Sequence, residues 1–268
     1  MKRIVRKIIP NRTKKIIRKY LPDKVLRVLS KIKFWMLGVI LTVQMWVMKV
    51  LKPTPGTERW LVFKELEYGG LVKDISRDVV SDNDPRTPEQ VVSEGMTGGD
   101  RMSKLFHGYA DIYAKYLEPF TKKQEHITLL EVGILQGTGV AIWSDLFKNG
   151  RIIGLDIDLD HIKANRKFLE SKGAFKNNNL ELHQFDQYED NEGYISSILK
   201  EDSVDVCIDD GVHYDEAILK TLSDTLPFLS ETFVYFIEDN DNVYRKIKQQ
   251  FPGLEVKNYG EMTVILSK

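Results

Sequence analysis

The sequence has little cysteine: one residue, Cys207, in 268. That excludes a disulfide framework and any multi-cysteine zinc site. It has no internal repeat and no low-complexity tract. It has no net charge either, with 39 Lys and Arg against 39 Asp and Glu. Its longest uncharged apolar stretch, Phe34–Met48, is fifteen residues. As a helix that stretch reaches roughly 22 Å, short of the roughly 30 Å hydrocarbon core of a bilayer. What is present is a 42% hydrophobic and 10% aromatic composition, enough for a real core, so wholesale disorder is excluded.

The charge is segregated. Residues 1–52 hold fifteen Lys and Arg against one acid, Asp23, a net of +14. The other 216 residues hold 24 basic and 38 acidic residues, a net of −14. Basic and aliphatic residues interleave through residues 2–33, as in Lys14-Lys15-Ile16-Ile17-Arg18-Lys19, which describes an interfacial helix. Pro10 and Pro22 divide it. Trp35 and Trp46 flank the uncharged stretch as interfacial aromatics do. The favoured reading is a monotopic arm on an anionic membrane surface at its cytoplasmic face. A spanning helix and a soluble arm packed on a partner or a second copy are the alternatives. A cleaved signal peptide does not suit so long a basic region. Nucleic acid is not an expected partner, because the Trp/Met/Leu run does not suit it. Pro53–Gly56 reads as a linker that holds the body off the surface, and 53–94 as an extension before the main domain at 95–268. Met102–Phe120 reads as a helix, and 81–88 as a loop.

From residue 127 strands and helices alternate. Strands are expected at 127–132, 151–156, 180–183, 204–209 and 233–237, each followed by a helix. A hairpin at 254–266 closes the chain. Five βα units imply an α/β, Rossmann-like, doubly wound and mostly parallel sheet, and the hairpin adds antiparallel strands, seven in all.

The first strand leads into Glu131-Val-Gly133-Ile-Leu-Gln-Gly137-Thr-Gly139. Glycines there permit a tight turn and close approach of a ligand. The second strand ends at Asp156, placed to accept from ribose hydroxyls, with Asp158 as the alternative. The third leads into Asp186-Gln187. The fourth ends Asp209-Asp210-Gly211-Val212-His213 and the fifth ends Glu238-Asp239. Neighbouring strand ends would bring these acids and His213 into one crevice. Carboxylates so close resist ionising together unless a cation joins them. Oxygen ligands suit Mg²⁺ or Mn²⁺, with Asp210, Glu238 and Asp239 as the candidate ligands. Asp209 would orient His213 or a backbone group. His213 is the candidate base and Asp210 its catalytic partner, with His107 a second candidate.

The element order, and an acid two positions before the first glycine of G-x-x-x-G-x-G, resemble class I S-adenosylmethionine (SAM) methyltransferases. That resemblance implies SAM as cofactor, with Glu131, Gly133, Gly137, Asp156, Asp186 and Gln187 around it. D-D-G-x-H followed by I-E-D further resembles the metal-dependent sugar O-methyltransferases of macrolide tailoring, the mycinamicin type. It is also similar to the related cephalosporin hydroxylase and rhamnosyl O-methyltransferase group. The resemblance spans about residues 95–268. It implies Mg²⁺ on Asp210, Glu238 and Asp239, and His213 as the base. Gly99-Asp100-Arg101 stands where that group has Thr-Asp-Lys. The expected activity is methyl transfer to a sugar hydroxyl of a glycan or glycolipid. A phenol or catechol acceptor, and a non-catalytic membrane-bound scaffold, are the alternatives. The sequence leaves a homo-oligomer open.

Overall fold

The structure is a computed structural model, and it describes residues 23–70, 72–122 and 126–267. Helix α1 spans Asp23–Leu51 and α2 spans Glu58–Tyr68, capped by the Thr57 hydroxyl. A two-stranded antiparallel ribbon pairs β1 (Lys73–Ile75) with β2 (Met96–Gly98), and α3 (Pro88–Glu94) lies between them in sequence. Thr87 and Gln90 form a capping box at the start of α3, so the 81–88 loop ends where the sequence expects. Helix α4 follows at Ala110–Lys122.

The alternating part contains β3 (Thr128–Val132), α5 (Thr138–Leu146), β4 (Arg151–Asp156), α6 (Asp160–Ser171) and β5 (Leu180–Gln184). It continues with α7 (Glu192–Leu199), β6 (Val204–Asp209), α8 (Asp215–Thr225), β7 (Leu229–Ile237) and α9 (Val243–Gln250). The hairpin is β8 (Glu255–Tyr259) and β9 (Met262–Leu266). The seven strands lie in the order β5-β4-β3-β6-β7-β9-β8. The first five are parallel, and β9 runs antiparallel to both β7 and β8. Every residue of β3 is buried, as a central parallel strand covered on both faces must be.

Register decides where the chemistry falls. Val132 pairs with Leu155 and with Asp209, and Asp209 pairs with Ile237. The residues that follow, Gly133, Asp156, Asp210 and Glu238, therefore sit along one rim at the carboxyl ends of the strands. The β3 and β6 ends also touch. At Gly133, with φ +82°, an added Cβ would overlap the carbonyl of Asp210. Gly133→Ala is expected to cost about 1–3 kcal/mol from the left-handed backbone alone, before any overlap is relieved. Urea unfolding of the variant checks it; an unchanged midpoint would refute the close approach.

Three expectations change. The helix read at Met102–Phe120 begins only at Ala110, because the Glu65 carboxylate on α2 takes the backbone N–H groups of Arg101, Met102 and Ser103 at 2.9–3.3 Å. At its other end the helix runs past the expected Phe120 to Lys122, with Pro119 inside its last turns. The strand read from Phe233 begins at Leu229, which pairs with Val204.

The 53–94 extension contributes core: Trp60, Leu61, Leu66 and Tyr68 are buried together with sheet residues. Helix α1 does not stand off on the Pro53–Gly56 linker. Leu41 is buried in that same core and Met48 packs against it. On another side of α1, Trp35, Met36, Val39, Val43, Trp46 and Val50 recur at helical spacing and face solvent, Trp35 at 70% and Trp46 at 67% exposure. Among the described residues no helix is long and apolar enough to cross a membrane. Residues 1–22 of the basic arm lie outside the described residues.

Candidate active site

A cavity of ≈ 1050 Å³ opens at the carboxyl ends of β3, β4, β6 and β7. Gly133, Asp156, Asp186, Gln187, Asp210, His213, Glu238 and Asp239 all line it. Eight expected site residues thus converge. Ligand clefts typically hold about 300–1,000 Å³, so this one has room for a nucleoside cofactor and a second molecule.

Asp156 receives the backbone N–H groups of Leu135 (2.8 Å) and Asp158 (2.9 Å). Burial raises its pKa, and those two bonds oppose the rise. The two bonds fix the carboxylate at the strand end, where it lines the cavity. Asp186 accepts from the Tyr188 N–H at 3.0 Å and lines the cavity. Gln187 is different. Its amide donates to Asp209 and to the Thr221 hydroxyl, both at 3.0 Å, and accepts from Val212 N–H at 2.8 Å. It is a strut that holds the β6 loop while also lining the cavity. Gly137 does not line the cavity; a Cβ there would run into Ile162 of α6, so its need for glycine is packing.

Glu131 also lies behind the cavity wall, fully buried. Its Oε1 receives Arg101 Nη1 at 2.7 Å. Arg101 was not among the expected site residues. It reaches in from the loop after β2, and its other nitrogens bond to Asp210 and, at 3.1 Å, to Glu238. One guanidinium therefore joins acids from the ends of β3, β6 and β7. Burial pushes the Glu238 pKa well above the usual carboxylate range, although Arg101 pulls it down. Tyr113 of α4 donates its hydroxyl to Glu238, and Tyr109 donates to Asp239 at 2.8 Å. Both tyrosines are buried, and their hydroxyls hold the acids.

His107 Nδ1 lies 2.8 Å from Asp239, and its Nε2 lies 3.5 Å from Asp100. Burial lowers its pKa, but those two bonds outweigh burial and push it up to about 10. Both ring nitrogens of His107 are thus engaged by carboxylates that favour the protonated ring, which argues against His107 as the base. Burial works against Asp239 too, yet His107 holds that carboxyl far below its usual range. His213 has a different setting. It sits at φ +62°, a strained position for a non-glycine residue, just as Asp239 sits at φ +55°. Its Nδ1 is buried and has no hydrogen-bond partner. Asp209 does not bond to it; Asp209 accepts from Gln187 and from Gly211 N–H (3.3 Å), and burial raises its pKa to about 6.

The set expected to hold Mg²⁺ or Mn²⁺ does not fit a cation in this arrangement. Among the described residues, the group of three candidate ligand atoms within 4.8 Å of one another is His107, Asp239 and Glu261, not Asp210, Glu238 and Asp239. Asp210 and Glu238 are tied to the Arg101 guanidinium, and Asp239 pairs with His107.

No family model matches the sequence, and no curated protein matches it. Solved structures do. One is the MycE methyltransferase from the mycinamycin biosynthetic pathway, in complex with Mg, SAH and mycinamycin VI. It is 16% identical over 63% of this chain and 51% of that one, with a TM-score of 0.49. The chain thus spans about half the length of MycE. A putative caffeoyl-CoA O-methyltransferase from Staphylococcus aureus is 11% identical over 57% and 81% of the two chains (TM-score 0.43). TomG, an O-methyltransferase from Streptomyces achromogenes, is 13% identical over 57% and 78% (TM-score 0.45). Strand order, crossover helices and the closing antiparallel hairpin give this chain the α/β fold of the class I SAM-dependent methyltransferases.

Proposed function

We propose that the protein is an O-methyltransferase that uses SAM, acts on a sugar hydroxyl and works at a membrane surface. The observation that carries this reading is the crevice itself, which gathers Asp156, Asp186 and His213 around a volume fit for donor and acceptor together. Asp156 receives the ribose hydroxyls and Asp186 the adenine amine. The acidic rim suits a sulfonium donor, whose charge disappears on transfer. His213 takes the proton from the acceptor hydroxyl as its oxygen attacks the methyl carbon. The new O–C bond forms while the S–C bond breaks, and its electron pair returns to sulfur. Positioning and deprotonation are the tasks left to the protein.

A sugar is favoured over a phenol by the outer wall. Residues 72–97 present Asp74, Arg77, Ser81 and Ser93 to the cavity, groups that hydrogen-bond a polyol, beside Val72, Ile75, Val79, Val80 and Met96, which would line its apolar faces. Incubation with labelled SAM and matched panels of glycosides and catechols tests this. Label in the glycosides is expected; label confined to the catechols would overturn the acceptor class. No transfer, together with no heat of SAM binding, would favour the scaffold reading.

The membrane part rests on the +14 of residues 1–52 and the exposed apolar stripe of α1. Each basic residue near an anionic surface contributes about 1 kcal/mol. The full chain should therefore co-sediment with phosphatidylserine-containing vesicles and not with neutral ones. Equal recovery in the supernatant with both would refute the arm's role.

A further inference from the structure

We propose that Arg101 is the resident cation of this site, taking the place between the β6 and β7 carboxylates that a divalent metal would otherwise need. The proposal rests on the methyl-transfer reading for what the site is for, but its geometry stands alone. Arg101 spends Nη1 on Glu131, Nη2 on Asp210 and Nε on Glu238. Three nitrogens of one planar fork thus serve acids from three neighbouring strand ends, a geometry that suits Arg and not Lys.

The fork is fixed from behind. Glu65 binds the backbone N–H of Arg101 and of the two residues after it. Gly139 leaves the space: a Cβ there would overlap both the Glu131 carboxylate and Arg101 Nη1. Three carboxylates converging without a counter-charge would repel one another, and one guanidinium offsets part of that. A divalent ion placed between Asp210 and Glu238 would meet the buried guanidinium as a like charge and would have to expel it. Arg101 is therefore a positioning residue. It fixes the place of Asp210 at the cavity rim, and the donor site should assemble without added metal.

Mn²⁺ titration of the full chain, followed by electron paramagnetic resonance, tests this without turnover. The wild-type protein is expected to show no saturable Mn²⁺ site that depends on Asp210. Arg101→Ala should create one, at least tenfold tighter than any in the wild type, and Asp210→Asn should abolish it in the double variant. Arg101→Lys keeps a charge and should still exclude the ion. If Arg101→Ala does not fold, the wild-type titration decides alone. A wild-type Mn²⁺ site lost in Asp210→Asn overturns the proposal. So does calorimetry in which S-adenosylhomocysteine binds only after Mg²⁺ replaces EDTA. A correct resident cation with a wrong function would instead give wild-type protein without an Asp210-dependent Mn²⁺ site and with no methyl transfer to any acceptor.

Discussion

Replacing His213 with Asn is expected to lower methyl transfer by about 10²–10⁴-fold at neutral pH, the usual contribution of a positioned general base. The affinity for SAM should stay unchanged. Asn is the informative choice because position 213 sits at φ +62°, a conformation Asn tolerates and Ala does not. The Asn240 amide also bonds the His213 carbonyl at 3.0 Å, so the backbone is held in place whatever the side chain. Loss of rate in His213→Asn therefore reports lost basicity rather than a shifted loop. The buried and unpartnered Nδ1 favours His213 over His107, whose two nitrogens are already engaged by Asp239 and Asp100. Rate against pH separates the roles further. A general base leaves a pH-dependent step in the rate, and in His213→Asn any such step should vanish while a slow hydroxide-dependent rate remains. A variant with near-normal rate, or with the same pH step, would remove His213 as the base.

The strand ends were legible because each combines two strong signals. An apolar run such as Val206–Ile208 has to be buried, and an acid or glycine directly after it has to sit at the rim. That is why Asp156, Asp186, Asp210, His213, Glu238 and Asp239 all reached the cavity. Arg101 was not legible as a site residue. It arrives from a loop 30 positions before its partner Glu131, and spacing carries no information over that distance. The Gly99-Asp100-Arg101 departure was the one clue, and it marked the right place. Tyr109 and Tyr113 show a different limit. Periodicity tells that a ring is buried, but not that its hydroxyl ends on an acid. The expected helix over 102–109 failed for a tertiary reason, since its N–H groups answer to a carboxylate on α2.

That carboxylate makes the fold's stability depend on pH. Burial raises the Glu65 pKa from 4.5 to about 7, although the N–H bonds of Met102 and Arg101 and the Arg101 charge oppose it. The folded chain therefore holds this proton more tightly than the unfolded one. Stability from that difference is fully present below about pH 4.5 and is lost as pH rises through 7. At 1.36 kcal/mol per unit the share of Glu65 is about 3 kcal/mol. Asp209, raised by burial to about 6, and His107, pushed up to about 10, change stability in the same direction. For His107 the window opens at pH 6.5 and closes above 10. The thermal midpoint should accordingly fall between pH 5.5 and pH 8 at constant ionic strength. Glu65→Gln isolates one share of the slope. Gln accepts fewer of the N–H bonds, so the variant is destabilised by about 1–3 kcal/mol. It does not titrate, however, so its midpoint should vary less with pH than that of the wild type. Parallel curves for the two proteins would mean that Glu65 stays ionised throughout, with its N–H bonds outweighing burial. A shallower curve would mean that the loop carrying Arg101 is clamped through a carboxyl group that holds its proton up to neutral pH.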